Sequence, residues 1–171
     1  AVTLPGPLVD DAWLAQNRND VQLLDVGNTP KTFAAKPEFA TDAAGKKKLV
    51  EPGGHIPGAT LVSTREMRVD RVIDGRKVQF MIPERADFEK LARKWGVKKD
   101  VPIVIVPLGA APSDIDDAAR LYWQFKFYGE DNVAILDGGL TGWLVAGRAV
   151  ESSTAATPAP GNWVATAERS A

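Results

Sequence analysis

The sequence predicts an α/β fold: a mostly parallel sheet of four or five strands with helices on both faces. Three observations predict it. Short, continuous apolar runs, "VQLLDV", "VPIVIV" and "NVAIL", read as strands buried on both sides. Longer segments such as "IPERADFEKLARKWG" and "IDDAARLYWQFKFYG" carry apolar residues at helical spacing. Strands and helices alternate along the chain, which is the pattern of βαβ units rather than of a sandwich or a bundle.

The elements follow in order. "LVDDAWLAQ" has acidic Asp10 and Asp11 ahead of Trp13 and Leu14, and predicts a short helix. The first strand, near 21–25, ends at Asp25 and Gly27. Residues 27–54 are a polar, proline-bearing insertion with three adjacent lysines, expected at the surface with one helical turn around Phe33 to Phe39. The lysines read either as a solvated face or as a binding surface. "HIPGATLV" turns into a strand near 59–62, and Ser63 stands three residues before Glu66, the spacing of a capping box. Alternating apolar residues around Asp74-Gly75 predict a hairpin.

In the next helix Phe88, Leu91, Ala92 and Trp95 share one face, with Gly96 at the exit. The strand near 102–106 is expected in the middle of the sheet. The helix behind it ends at Gly129 and offers Leu121, Tyr122, Phe125 and Tyr128 to the core. A strand near 132–136 and a last helix opened by Gly138 and Gly139 complete a domain spanning 1–150. Trp95, Trp123 and Trp143 are all expected to be buried against the sheet. "ESSTAATPAPG" then reads as a linker, so that 151–171 form a linker and the start of a possible second domain.

Composition excludes several functions. The chain has 171 residues and no cysteine, so it holds no disulfide, no thiolate metal site and no thiol nucleophile. One histidine cannot form a histidine cluster, and no metal site is expected. With 21 Lys+Arg against 22 Asp+Glu, the net charge of −1 gives no electrostatic reason for nucleic acid as a partner. No apolar run has the ~18 residues of a membrane span, so a soluble chain without a membrane partner is expected. Ala1 in place of Met leans the reading towards a processed, periplasmic or secreted protein.

The loop between the central strand and its helix, Pro107, Leu108, Gly109, Ala110, Ala111, Pro112 and Ser113, lies where α/β sheets build their sites. It contains no cysteine, histidine, lysine or arginine. Ser113, the only hydroxyl there, has carboxylates but no base nearby in sequence, so an N-cap role with Asp116 is favoured over a nucleophile. Asp114, Asp116 and Asp117 suit the start of a helix and would repel an anion. Asp137, Gly138 and Gly139 lack the glycine series of a dinucleotide fold; no cofactor is expected.

Four segments in this order, "LLDV", "GGHIPGA", "PIVIV" and "NVAILDGGLTGW", resemble the rhodanese (sulfurtransferase) family over about residues 8 to 150. The helix "AARLYWQFKFYG" and the segment after "GRAVE" are most similar to the N-terminal domain of two-domain thiosulfate or 3-mercaptopyruvate sulfurtransferases. The resemblance implies a rhodanese-like sheet and a catalytic cysteine directly after the central strand; here that position falls at or near Pro107. It implies structural roles for Asp25, His55, Pro57, Gly58, Asp137, Gly138 and Gly139. Arg65 and Arg68 either face a domain cleft or lie on a surface helix paired with acids.

The leading expectation is therefore a non-catalytic rhodanese-like domain, the N-terminal scaffold half of a tandem thiosulfate sulfurtransferase. Its partner would be a second rhodanese domain of the same gene that carries the cysteine. The alternative is a stand-alone inactive module that binds a protein or a small anion, with 27–54 as the contact surface. A hydrolase using Ser113 or a carboxylate ranks last.

Overall fold

The computed structural model describes residues 2–67, 69–81 and 83–169, with the strands at 69–73 and 77–81 described by their backbone alone. The elements are β1 (Leu8–Val9), α1 (Asp11–Asn17), β2 (Gln22–Val26), α2 (Pro30–Ala34), β3 (Glu38–Thr41), β4 (Lys47–Glu51), β5 (Thr60–Val62), β6 (Val69–Ile73), β7 (Arg76–Met81), α3 (Arg85–Lys94), β8 (Ile103–Val106), α4 (Asp114–Phe127), β9 (Val133–Leu136) and α5 (Gly139–Val145). Five strands form one parallel sheet in the order β1-β9-β8-β2-β5. The expected central strand is central, and all four of its residues are buried.

The apolar runs have no polar face because the sheet is covered on both sides. Leu24, Val26, Ile103, Ile105, Val133 and Ile135 pack with α3 and α4 into one core. Leu23, Val104, Val106, Ala134 and Leu136 pack with Leu14 of α1 and Leu140, Trp143 and Leu144 of α5 into the other. Phe88 centres the first core, edge-on to Phe125 and stacked on Tyr128, with ring centroids 5.0 and 5.4 Å away. Such pairs add to the area term because ring edges meet ring faces. The Asp74-Gly75 hairpin forms as expected, both residues at positive φ (51° and 76°) between β6 and β7.

Several expectations need correction. Trp123 is 63% exposed, because it lies two residues from Leu121, roughly opposite on the helix wheel. Trp95 and Trp143 are buried as expected. The helical turn in the insertion runs over Pro30–Ala34, capped by the Thr29 side chain accepting from the Thr32 amide, rather than over 33–39. Beyond Pro37 the insertion instead forms an antiparallel hairpin, β3 with β4, whose turn is closed by Asp42 Oδ1 accepting from the amides of Ala44 and Lys46. The predicted start of the chain also lacked β1, two residues that join the sheet edge ahead of α1. Ser63 and Glu66 make no reciprocal box; the Glu66 carboxylate pairs with Lys94 Nζ at 2.6 Å.

The segment after 150 is irregular, but it is not a free linker. His55 and Glu151 exchange two backbone hydrogen bonds of 2.8 Å. Further on, the Gly161 amide donates to the Arg93 carbonyl and the Thr166 amide to the Tyr128 carbonyl. Between them Trp163 enters the core, 2% exposed, edge-on to Phe88 and Phe125. Trp163 and Ala165 thus belong to the first core. Among the described residues, no helix is long and apolar enough to cross a membrane.

Candidate functional site

Parallel strands present their carboxyl ends along one edge, and the loops that leave that edge meet there. Three such loops converge: Pro107–Ser113 after β8, Asp137–Gly138 after β9, and the start of the insertion after β2. The first two are laced together. The Leu140 amide donates to the Pro107 carbonyl (2.9 Å), and the Thr141 amide and hydroxyl both donate to the Leu108 carbonyl (3.0 and 2.9 Å). Gly109 and Gly139 stand at positive φ (75° and 59°), and a Cβ on either would run into a carbonyl of the other loop. Only glycine allows this approach.

Pro107, at or near which the resemblance places the family's cysteine, is buried at the foot of the loop. Proline offers neither a nucleophile nor an N–H. Two of the loop's amides have a partner within the chain: Ala110 and Ala111 both donate to Asp114 Oδ2 at 2.8 Å. A pair of convergent backbone N–H groups at a helix start is an anion cradle. Here the chain's own carboxylate fills it. The expected cap by Ser113 does not form, since its exposed side chain makes no cap hydrogen bond and only its carbonyl accepts, from the Asp116 amide. Asp114 wins because a charged acceptor reaching back three and four residues satisfies two amides at once. In the sequence Asp114 stands among three acids of the first turn, with nothing to single it out.

Asp25 lies deeper. It pairs in register with Val106 on one side and Leu61 on the other, and its side chain is 2% exposed. Oδ2 has no hydrogen-bond partner among the described residues, and burial raises the carboxyl to a pKa of about 7 against a weaker opposing hydrogen bond from Asn28. Asp25 hydrogen-bonds with the Asn28 side chain, whose Oδ1 accepts from the Thr29 amide. Nothing in the sequence around Asn28 signals that contact.

The structure places the other predicted residues as follows. His55 is buried, its ring stacked 3.7 Å from Phe33, with Nδ1 2.9 Å from the Phe33 carbonyl and Nε2 3.5 Å from Glu151. That is well occupied for an imidazole and points it towards α2 and the tail. The Pro57 carbonyl accepts from Arg18 Nη1 (3.1 Å), and Gly58 turns at φ 88°. Gly138 and Gly139, at φ 80° and 59°, swing the chain into α5, while Asp137 is exposed. Arg65 is exposed on a single 3-10 turn, Thr64–Met67; Arg68 lies outside the described residues. No group of three or more His, Asp or Glu able to hold a metal occurs among the described residues. The edge thus assembles a rigid loop whose anion cradle is filled from within, and no nucleophile–base pair among the described residues.

Comparison with known proteins agrees with this fold. The rhodanese-like domain family matches residues 8–146. Thiosulfate sulfurtransferase of Bos taurus is 29% identical over 168 residues, covering 95% of this chain and 51% of that protein. SseA of Escherichia coli, whose structure shows the rhodanese fold of 3-mercaptopyruvate sulfotransferases, superposes with a TM-score of 0.65 at 20% identity over 96% of this chain and 56% of its own. The 3-mercaptopyruvate sulfurtransferase of Leishmania major superposes at 0.66 and 16% identity, over 99% of this chain and 43% of its own. At such identities the superpositions carry the fold alone, and the chain spans about half the length of these relatives. With the family matched across most of its length, and the five-stranded parallel sheet to go with it, this chain is a member of the rhodanese-like domain family.

Proposed function

We propose that this chain is a non-catalytic rhodanese-like domain that works as the scaffold half of a tandem sulfurtransferase, beside a second domain that carries the cysteine. The observation that carries the reading is the Asp114 carboxylate seated on the Ala110 and Ala111 amides. Sulfur transfer of the rhodanese kind needs a thiolate that takes up sulfur as a persulfide. The chain has no thiol, and the cradle that would steady such an anion already holds one. Its span of about half the thiosulfate sulfurtransferase of Bos taurus supports the tandem arrangement.

Two measurements test the proposal. Residues 1–171 given thiosulfate and cyanide should form thiocyanate no faster than buffer, and should gain no ~32 Da of sulfur by mass spectrometry, for want of a thiolate. Turnover above contamination controls would overturn the non-catalytic reading. The reading frame beyond Ala171 should encode a second rhodanese-like segment with a cysteine after its central strand. A stop codon there would overturn the tandem part and leave an inactive module.

A further inference from the structure

A groove of about 730 Å³ lies between the β3–β4 hairpin and α5, and reaches Thr141 beside the candidate loop. Its apolar floor is made by Phe39 and Leu49, which are cross-strand partners, and by Leu144 and Val145 of the helix. Phe39 is 40% and Val145 68% exposed, unusual for large apolar side chains that face each other across one depression.

The rim is one-signed. Lys46, Lys47, Lys48 and Arg148 line the groove, and among the described residues no carboxylate does. In a chain whose charges nearly cancel, at 21 against 22, that is a local departure. Arg148 is engaged, its Nε donating to Asp11 Oδ2 at 2.7 Å while its guanidinium covers the Trp143 ring. The three lysines are exposed and form no ion pair among the described residues; Lys47 Nζ stands 5.5 Å above the Phe39 ring. β3 and β4 make a two-stranded sheet of their own, so among the described residues the hairpin has no third strand to cover it.

We propose that this groove is a docking site for an extended acidic peptide segment of another protein, one that places an aliphatic or aromatic side chain on the Phe39–Val145 floor between carboxylates that meet the lysines. Charge complementarity selects the acidic partner, and the apolar floor selects a peptide. A nucleic acid would need open aromatic faces for its bases, and the Phe39 ring already lies under Lys47. The volume is within the ~300–1,000 Å³ of ordinary ligand clefts and admits a short segment. No residue from Pro107 to Asp114 lines the groove, so the proposal stands whether or not the chain is half of a tandem enzyme.

The test uses residues 1–171 and a fluorescein-labelled hexapeptide, DELFDE, followed by fluorescence anisotropy. Saturable binding is expected, weakened by salt, because the lysine contacts are exposed and screened. DESGDE, which keeps the charge and drops the apolar pair, should bind at least ~tenfold more weakly. So should the triple variant Lys46→Glu, Lys47→Glu, Lys48→Glu towards DELFDE, and Val145→Asp should lose at least ~fivefold. All altered side chains are exposed, and an unchanged thermal midpoint will show that both variants fold. No saturation by DELFDE, equal binding of KKLFKK or of an oligothymidylate, or indifference to both variants would overturn the proposal.

Discussion

Asp25→Asn should remove a pH dependence that one buried carboxyl imposes on the whole domain. Its pKa is near 7 in the fold and 3.8 is its ordinary value, so between these limits the folded state binds the proton and the unfolded state does not. Stability therefore falls as pH rises from about 4 to about 7 and levels off above. Roughly three units at about 1.36 kcal/mol each give a loss of about 4 kcal/mol across that window. Total stabilities of ~5–15 kcal/mol are usual for a folded domain, so the loss is a sizeable fraction.

The side-chain amide introduced by Asp25→Asn would not titrate. It places an N–H₂ where Oδ2 now lacks a partner, at a cost of ~1–3 kcal/mol that is the same at every pH. The variant should thus start level with or below the parent at about pH 4.5 and gain about 3 kcal/mol on it by about pH 8. In urea titrations this is a relative shift of roughly 1–1.5 M in midpoint, taking a slope of ~2–3 kcal/mol/M. Asp11 and Asp131, held low by Arg148 and Arg169, act in the opposite sense, but their contributions are lost only as pH falls below 3.8. They cancel in the difference between the two proteins. A difference that stays constant within ~0.5 kcal/mol from about pH 4.5 to 8 would refute the reasoning and mean that Asp25 is ionised in the fold.

Three further outcomes are expected from denaturant titration at fixed pH. Trp163→Ala should cost ~3–5 kcal/mol through the void it leaves between Phe88 and Phe125, while Trp123→Ala should cost under ~0.5 kcal/mol. Equal costs would contradict the packing described for the tail. Asp114→Ala strips the acceptor from two amides and should cost ~1–2 kcal/mol, whereas Ser113→Ala should be close to neutral; the reverse order would restore Ser113 as the cap. Gly139→Ala combines a positive φ with a collision against the Pro107 carbonyl and should cost at least ~2 kcal/mol, seen as a lowered urea midpoint.

What can be read from the sequence divides along a physical line. Wherever burial is two-sided, as in "VPIVIV", every residue is apolar and the strand announces itself. Where neither face is buried, the signal is absent. β3 is exposed along its whole length and β4 nearly so, which is why "EFAT" and "KKLVE" carry no alternation and the hairpin reads as loop. Trp163 defeats pattern reading for another reason: it is a lone anchor in extended chain, and one buried residue among small polar ones has no period. Trp123 differs, since its position two residues from Leu121 is already enough to turn it outward. For the site, residue types place the loop and exclude the thiol, but spacing alone cannot choose among Asp114, Asp116 and Asp117. The choice depends on how the loop folds back, and that is a matter of geometry rather than of composition.

The loop is held in place by contacts that need no nucleophile. Its carbonyls at Pro107 and Leu108 terminate α5 at the N-terminal end, taking the Leu140 and Thr141 amides that a helix start leaves open. Its glycine at 109 lets the two loops touch, and Asp114 closes it from the other side. Each of these contacts is internal to the fold and none involves a reacting atom. Loosening a loop tied in this way would expose the end of α5 and the foot of β8 together. The motif that marks the family is for that reason a statement about how sheet and helices are joined. Two features of the loop bear on the non-catalytic proposal: proline stands at 107, and the Ala110 and Ala111 amides both donate to Asp114.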